Sequence, residues 1–332
     1  MQIDRHLADL PEAARGGAVA IGNFDGVHRG HARLVERLVA RAREVGGPAV
    51  VFTFDPHPVR LLRPKECPPP LTWTERKAEL LARLGVDRLI AYPTDHGLLR
   101  LSARAFFDLI LRETLAARAI VEGPNFHFGH DREGDVRLLG ELATGAGMTL
   151  DVVDQAEEEG GLISSSRVRR LIGEAGGVEA AAGMLTAPYR VRGIVTHGAG
   201  RGASIGFPTA NLEGIDTLLP APGVYAGVGR LVGNRPPPHT WPAAINIGPN
   251  PTFGDDAPKV EAHLVGCERT LYGRPLEVDF LRRLRDVRPF ASPDELVEQV
   301  TRDVAEATDL AAAHLAATHL TESRLASESG EA

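Results

Sequence analysis

The sequence predicts an α/β, doubly wound parallel-sheet domain over residues 1–184, a small antiparallel β-barrel with a C-terminal helix over 185–320, and a disordered tail over 321–332. Three observations predict this. From Ala18 to about Asp154, short apolar runs alternate with segments of helical period, the pattern of strands joined by helical crossovers. After Gly176-Gly177 the texture changes, and from Tyr189 the chain reads as strands punctuated by Gly and Pro turns. The length, 332 residues, exceeds one ordinary core at roughly 150 residues per domain.

In chain order, "AVAIG" (18–22) and "AVVFTF" (49–54) read as buried strands. Between them Leu34, Val35, Leu38, Val39, Ala42 and Val45 recur with helical spacing, which makes one βαβ unit. A helix near 74–84, the strand "RLIAY", a helix from Ser102 to Ala117, the strand "AIVEG", a helix near 135–146 and the strand "TLDVV" continue it. Five such strands imply a parallel sheet, whose ligands lie beyond the strands' carboxyl ends. "SSSRVRRLIGEAGGVEAAAGML" reads as helix broken at Gly176-Gly177, with the domain boundary near 184–188. "YRVRGIVTH", "GVYAGVGRL", "AAINIG", "KVEAHLVG" and "LEVDFLRRL" then supply the barrel strands, and "RPPPHTWP" reads as an exposed connection. At "SPDEL", Ser292 suits a helix cap, Pro293 the first turn and Glu295 a capping box, with Leu296, Val297, Val300 and Val304 as the buried stripe.

Composition narrows the function classes. Hydrophobic residues make up 43% and charged residues 24%, a balance that sustains packed cores. The net charge of −7 with no basic block gives no attraction to nucleic acid or to an anionic membrane, so neither partner is expected. Lys65, Lys77 and Lys259 are the only lysines, which leaves few candidates for lysine-centred chemistry. Cys67 and Cys267 stand apart without a CxxC pair, so a cytoplasmic setting is expected. No stretch approaches the ~20 apolar residues that span a bilayer.

"GNFDGVHRGH" (22–31) follows the first strand "AVAIG" and precedes the first helix, where main-chain N–H groups and the helix dipole favour an anion. Phosphate suits such a turn, and imidazoles at His28 and His31 can donate to its oxygens as charge develops in nucleotidyl transfer. In the second half, "HGAGRGASIGFPTANL" (197–212) is glycine-rich, which lets main chain approach phosphate, and it lacks the GK[ST] of a Walker loop.

The first stretch resembles the GxFDxxHxGH signature of the nucleotidyltransferase superfamily. Its FDGVH form is similar to the prokaryotic bifunctional riboflavin kinase/FAD synthetase (FMN adenylyltransferase) family. "FTFDPHP" (52–58), "NFHFGHDREGD" (125–135) and "ISSSRVR" (163–169) match in the family's order, and "GFPTAN" resembles the PTAN signature of riboflavin kinases. The resemblance covers roughly residues 15 to 305 and implies both activities: riboflavin phosphorylated to FMN with Mg-ATP by the barrel, then FMN adenylylated to FAD, with release of pyrophosphate, by the α/β domain.

It also implies residue roles. His28 and His31 would contact the ATP phosphates and stabilise the transition state at the α-phosphorus, with Gly22, Phe24 and Asp25 shaping the turn. His57 and Asn125 would line the cleft, and Ser164 and Arg167 would bind phosphate. In the kinase half, Gly202 and Gly206 belong to the ATP loop, Thr209 and Asn211 would bind Mg²⁺ and phosphates, and Glu261 would be the base for the ribityl hydroxyl. Arg288 and Phe290 are candidate flavin contacts. Departures from the family pattern occur at Glu122 and Pro124, at His130, to which no role is assigned, and at Ala203. Two other readings fit part of the pattern: transfer to another phosphorylated acceptor, as pantetheine-phosphate adenylyltransferases and cytidylyltransferases perform it, and a flavin-binding module without turnover. Subunit contacts are not encoded in these signatures.

Overall fold

A computed structural model describes residues 1–154, 156–158, 161–198, 200–233, 239–250 and 255–329. The chain divides into two compact units, one of Met1–Arg167 with Met184–Thr186, the other of Val168–Gly183 with Ala187–Ala332. The expected first domain ran unbroken to 184, whereas the contacts assign most of the two helices before that point to the second unit.

The first unit is built on a parallel sheet. Its strands are β1 (Gln2–Asp4), β2 (Ala18–Ile21), β3 (Ala49–Phe54), β4 (Arg88–Tyr92), β5 (Ala119–Glu122) and β6 (Thr149–Val152), in the order β1-β4-β3-β2-β5-β6. Five of these are the expected strands. The sixth, β1, pairs Gln2–Asp4 with Arg88–Ile90; three residues with two polar side chains carry no alternation to read. β2 and β3 are buried along nearly their whole length, as strands covered on both faces must be.

Helix α1 (Arg29–Val45) buries Val35, Leu38 and Ala42, spaced three and four apart, and ends at Gly46 in the left-handed conformation. It is followed by α2 (Pro58–Leu62), α3 (Thr74–Arg83), α4 (His96–Leu99), α5 (Ala103–Phe106) running on as a π-helical segment Phe107–Thr114, and α6 (Val136–Gly145). Strand order reverses between β3, β2 and β5. A crevice therefore opens beyond the carboxyl ends of β2 and β5, with the turns after both strands at its mouth.

In the second unit, α7 (Ser165–Ala175) and α8 (Val178–Met184) are separated at Gly176-Gly177, where Gly176 has φ +60°. Six antiparallel strands close into a barrel in the order β7-β8-β11-β10-β9-β12: β7 (Tyr189–Thr196), β8 (Ala210–Glu213), β9 (Gly223–Leu231), β10 (Thr240–Asn250), β11 (Asp255–Leu264) and β12 (Pro275–Arg285). Closure leaves no strand edge unpaired. The strand not expected from the sequence is β8, which hides in the turn-like "PTANLEG" and carries Asn211. Of the "RPPPHTWP" connection, 235–238 lie outside the described residues, and Thr240–Pro242 already belong to β10.

A short helix, α9 (Arg201–Ser204), lies between β7 and β8, and helix α10 (Pro293–Ser329) packs on β9, β10 and β12. Its start is close to expectation. Ser292 Oγ accepts from Glu295 N at 3.2 Å, but the Glu295 carboxylate accepts from Ala291 N at 3.0 Å and not from the cap residue's own N–H. The expected stripe of Leu296, Val297, Val300 and Val304 is only half-buried; the deepest positions are Asp303, Ala307 and Ala311, small or ion-paired residues that let the helix lie close to the strands. The helix also continues through 321–329, which the sequence assigned to a tail.

Candidate active sites

The turn between β2 and α1 is tethered along most of its length. Phe24, Gly26 and Val27 have φ of 45°, 80° and 41°, a left-handed path that needs support where the residue is not glycine. That support is a set of tethers. Gly22 N donates to Phe52 O at 2.9 Å, and the Asn23 carbonyl accepts from Thr53 Oγ1 at 3.2 Å and from Lys77 Nζ at 2.6 Å. The buried Asp25 carboxylate accepts from Leu71 N, Thr72 N and Thr72 Oγ1 at 3.0–3.2 Å. Ser165 Oγ donates to the Asp25 carbonyl at 2.8 Å and Thr186 Oγ1 to the Val27 carbonyl at 2.7 Å. Asp25 thus shapes the turn by binding neighbouring chain.

His28 caps α1 and forms a reciprocal pair with His31. His31 N donates to His28 Nδ1 and His28 N donates to His31 Nδ1, each at 3.3 Å, and the rings stack with centroids 3.6 Å apart. An Nδ1 that accepts carries no proton, so in each neutral ring the proton sits on Nε2 as a donor. Burial drives the His28 pKa from 6.5 down to about 4, against the pull of Asp25, and burial also takes His31 well below its ordinary value. Gly30 makes the stacking possible, since a Cβ there would stand 3.1 Å from the His28 ring.

Around this turn, His57 caps α2, its Nδ1 accepting from Val59 N at 3.1 Å. Asn125 lies exposed in the turn after β5. Ser164 accepts from Arg167 N at 3.3 Å as the cap of α7, and Arg167 donates to Gly161 O at 2.8 Å. Ser164 and Arg167 thus meet at a helix start, which Ser165 fastens to the histidine turn. Glu122 is turned into the fold, accepting from Ile21 N at 2.6 Å, and its burial raises its pKa well above the ordinary carboxylate value. The exposed His130 stands 3.4 Å from Asp131. Lys77, Thr72, Ser165 and Thr186 are positions that sequence reasoning missed; only the tertiary path of the chain brings them to the turn.

In the second unit the register lines up four polar residues. Thr196, Asn211, Glu261 and Asn246 are successive partners across β7, β8, β11 and β10, and direct partners carry their side chains on one face. Their alternates Val195, Leu212, Val260, Ala262, Ile245 and Ile247 are buried in the barrel, so the row lies on its outer surface. Asn246 and Thr196 were not anticipated. Thr196 Oγ1, at the β7 end of the row, is buried and has no hydrogen-bond partner among the described residues.

The glycine loop presses on this row. Gly198 lies so close to Asn211 that any Cβ would overlap its side-chain amide, and a Cβ on Gly202 would overlap the Phe207 carbonyl and stand 3.4 Å from the Thr209 methyl. Gly206 has φ +89° and faces open space, and Ala203 is exposed. His263, two residues beyond Glu261, donates from Nδ1 to the Pro208 carbonyl at 2.8 Å and fixes the start of "PTAN". Arg288 lies 5.0 Å over the Phe290 ring and 3.5 Å from Glu295, so these two pack together where the chain enters α10.

Comparison with known proteins agrees with this division. Residues 10–167 match the family model of FAD synthetase and residues 185–311 that of riboflavin kinase. A protein of Pseudomonas fluorescens named bifunctional riboflavin kinase/FMN adenylyltransferase is 37% identical over 94% of this chain and 98% of its own. Proteins of the same name from Escherichia coli strain K12 and Bacillus subtilis strain 168 are 34% and 33% identical, over 91% and 90% of this chain and 96% and 93% of theirs. A solved Streptococcus pneumoniae structure titled a macrolide-efflux protein superposes with a TM-score of 0.81 at 30% identity, covering 93% of this chain and 98% of that one. Sequence, domain order and coverage agree: the chain belongs to the family of bifunctional riboflavin kinases/FMN adenylyltransferases.

Proposed function

We propose that the chain makes both flavin coenzymes, phosphorylating riboflavin to FMN in the barrel and adenylylating FMN to FAD in the α/β unit. The observation that supports this is two separate polar constellations with different chemistry, each suited to cradle phosphate. One is a capped histidine pair with two Nε2–H donors beside a helix start. The other is a polar row with a carboxylate at its centre.

In the barrel, Glu261 takes the proton of the ribityl 5′-hydroxyl as that oxygen attacks the γ-phosphorus, and ADP leaves. Gly198 and Gly202 give the triphosphate room against main chain, and Thr209 and Asn211 offer the hydroxyl and amide oxygens that suit Mg²⁺. The orphaned Thr196 hydroxyl and the glycine cradle fit such an occupant. Mg²⁺ when bound neutralises charge on the phosphate oxygens. Arg288 and Phe290 are the proposed edge of the flavin site.

In the α/β unit a phosphate oxygen of FMN attacks the α-phosphorus and pyrophosphate departs. His28 and His31 donate from Nε2 to the charge that develops there, while Gly22, Phe24 and Asp25 set the turn. Ser164 and Arg167 hold phosphate, and His57 and Asn125 line the cleft. Two free cysteines are consistent with a cytoplasmic enzyme, and no helix among the described residues is long and apolar enough to cross a membrane.

The test is incubation with riboflavin, ATP and Mg²⁺ followed by chromatographic separation. FMN and then FAD are expected. Glu261→Ala abolishes FMN formation yet converts added FMN to FAD; His28→Ala with His31→Ala does the reverse. A Glu261→Ala variant with full kinase rate removes the base assignment, and absence of both products from the unaltered protein removes the reading.

A further inference from the structure

The α/β site contains a lysine that nothing in the signatures assigns. Lys77 projects from α3 into the fold, and its side chain is almost wholly buried. Its ammonium donates to the Asn23 carbonyl at 2.6 Å and meets Thr53 Oγ1 at 3.3 Å, while Thr53 Oγ1 donates to the same carbonyl at 3.2 Å. Those partners are neutral oxygens. The carboxylates that act on it through space, Asp25 and Asp55, are committed elsewhere, Asp25 to Leu71 and Thr72, and Asp55 to Arg5 and Thr74.

A buried ammonium is a costly way to hold one carbonyl, because a methionine of similar length fills the space without the loss of hydration. Its position supplies a reason. Asn23 opens the left-handed run through Phe24, Gly26 and Val27 that delivers His28 to its cap. Both imidazoles accept at Nδ1, so neither brings a positive charge to a site that must hold a triphosphate.

We propose that Lys77 is a positioning residue for adenylyl transfer: its ammonium clamps the Asn23 carbonyl from beneath the turn and supplies a fixed positive charge that imidazoles accepting at Nδ1 cannot. This rests on the reading of the α/β unit as the adenylyl-transfer site. The charge acts on the phosphates across the turn, in a poorly hydrated interior where it counts for more than on a surface.

The experiment compares full-length Lys77→Met and Lys77→Gln with the unaltered protein, measuring FMN adenylylation, riboflavin phosphorylation and thermal midpoint. Lys77→Met is expected to lower kcat for FAD formation roughly tenfold or more. The KM for FMN and the kinase rate should stay within about twofold, and the midpoint should be unchanged or raised, since a buried charge has been removed. Lys77→Gln, which can still donate to Asn23 O but has no charge, should recover only part of kcat. A kcat near that of the unaltered protein in Lys77→Met overturns the proposal, and so does a loss of both activities together with a lowered midpoint in both variants. Full recovery by Lys77→Gln overturns the charge and leaves a plain clamp. If the unaltered protein forms no FAD from FMN, the functional reading fails; if it does and the variants match it, only the role of Lys77 fails.

Discussion

His28 and His31 cap each other's main chain, each ring nitrogen Nδ1 accepting the other's N–H at 3.3 Å with the rings stacked between them. Protonating either Nδ1 breaks a cap, so catalysis and local structure share one proton. FAD formation from added FMN should therefore stay level from about pH 8 to about pH 5 and fail only nearer pH 4, where His28 titrates. A histidine of ordinary pKa would lose activity about pH 6.5. The stability sign follows from the same values. The unfolded chain binds the proton near pH 6.5 and the folded His28 only near 4, so its contribution is full above 6.5 and is lost as pH falls towards 4, a change of about 3 kcal/mol. Denaturant midpoints of the α/β unit across that range check it, and a flat profile would contradict it.

Gly30→Ala isolates the stacked geometry. Alanine in the first turn of a helix should stabilise it by up to about 1 kcal/mol relative to glycine. Here its Cβ would meet the His28 ring at 3.1 Å, and the ring cannot yield without leaving its cap. The expected result is an equal or higher thermal midpoint with kcat for FAD formation down roughly tenfold. Riboflavin phosphorylation, measured on the same sample, should be unchanged.

Gly198→Ala tests the second cradle by the same logic. Its Cβ overlaps the Asn211 amide, so either the loop or the amide must move. Riboflavin phosphorylation should fall, with the KM for Mg-ATP raised roughly tenfold, while FMN adenylylation continues at its ordinary rate. An unaltered KM would show that Asn211 does not hold the triphosphate.

Elements with strong period were legible in the sequence. The strands around Val50 and Ile90, the α1 stripe of Val35, Leu38 and Ala42, and the break at Gly176 all announce themselves through apolar spacing or glycine. Short elements stabilised only by partners were not. Gln2–Asp4 is a strand because it lies on Arg88–Ile90, and Ala210–Glu213 because β7 and β11 flank it. The motifs brought His28 and His31 into one list, but their mutual capping depends on how α1 begins. Lys77, Ser165 and Thr186 reach the turn from 54 to 159 positions away, across distances that no local pattern encodes. Asn246 became visible only when the register set it beside Glu261. The α10 stripe was misplaced for a related reason. A sequence pattern looks for large apolar residues, whereas close packing on the barrel selected Ala307 and Ala311 together with an Asp303 that pairs with Arg285 at 2.8 Å.

The barrel also carries a buried ionic cluster that should decide its stability. Arg190 on β7 donates Nε and Nη2 to the two oxygens of Asp279 at 2.5 and 2.9 Å and Nη1 to Glu277 at 2.9 Å, with Arg230 3.7 Å from Asp279. The Arg190 and Asp279 side chains are 4% and 3% exposed, so each has given up its water for the other. Removing Asp279 takes away the bidentate half of the cluster. Asp279→Ala should cost roughly 3–5 kcal/mol of barrel stability, because the Arg190 guanidinium then loses its two-oxygen partner in a dry environment and keeps Glu277 on Nη1. Replacing both ends by apolar residues of similar volume, Arg190→Met with Asp279→Leu, should recover most of that loss, since the penalty lies in the uncompensated charge more than in the missing bond. Denaturant unfolding followed by loss of riboflavin phosphorylation measures both. If Asp279→Ala costs less than about 1 kcal/mol, water reaches Arg190 and the cluster is not the dry pair its burial indicates.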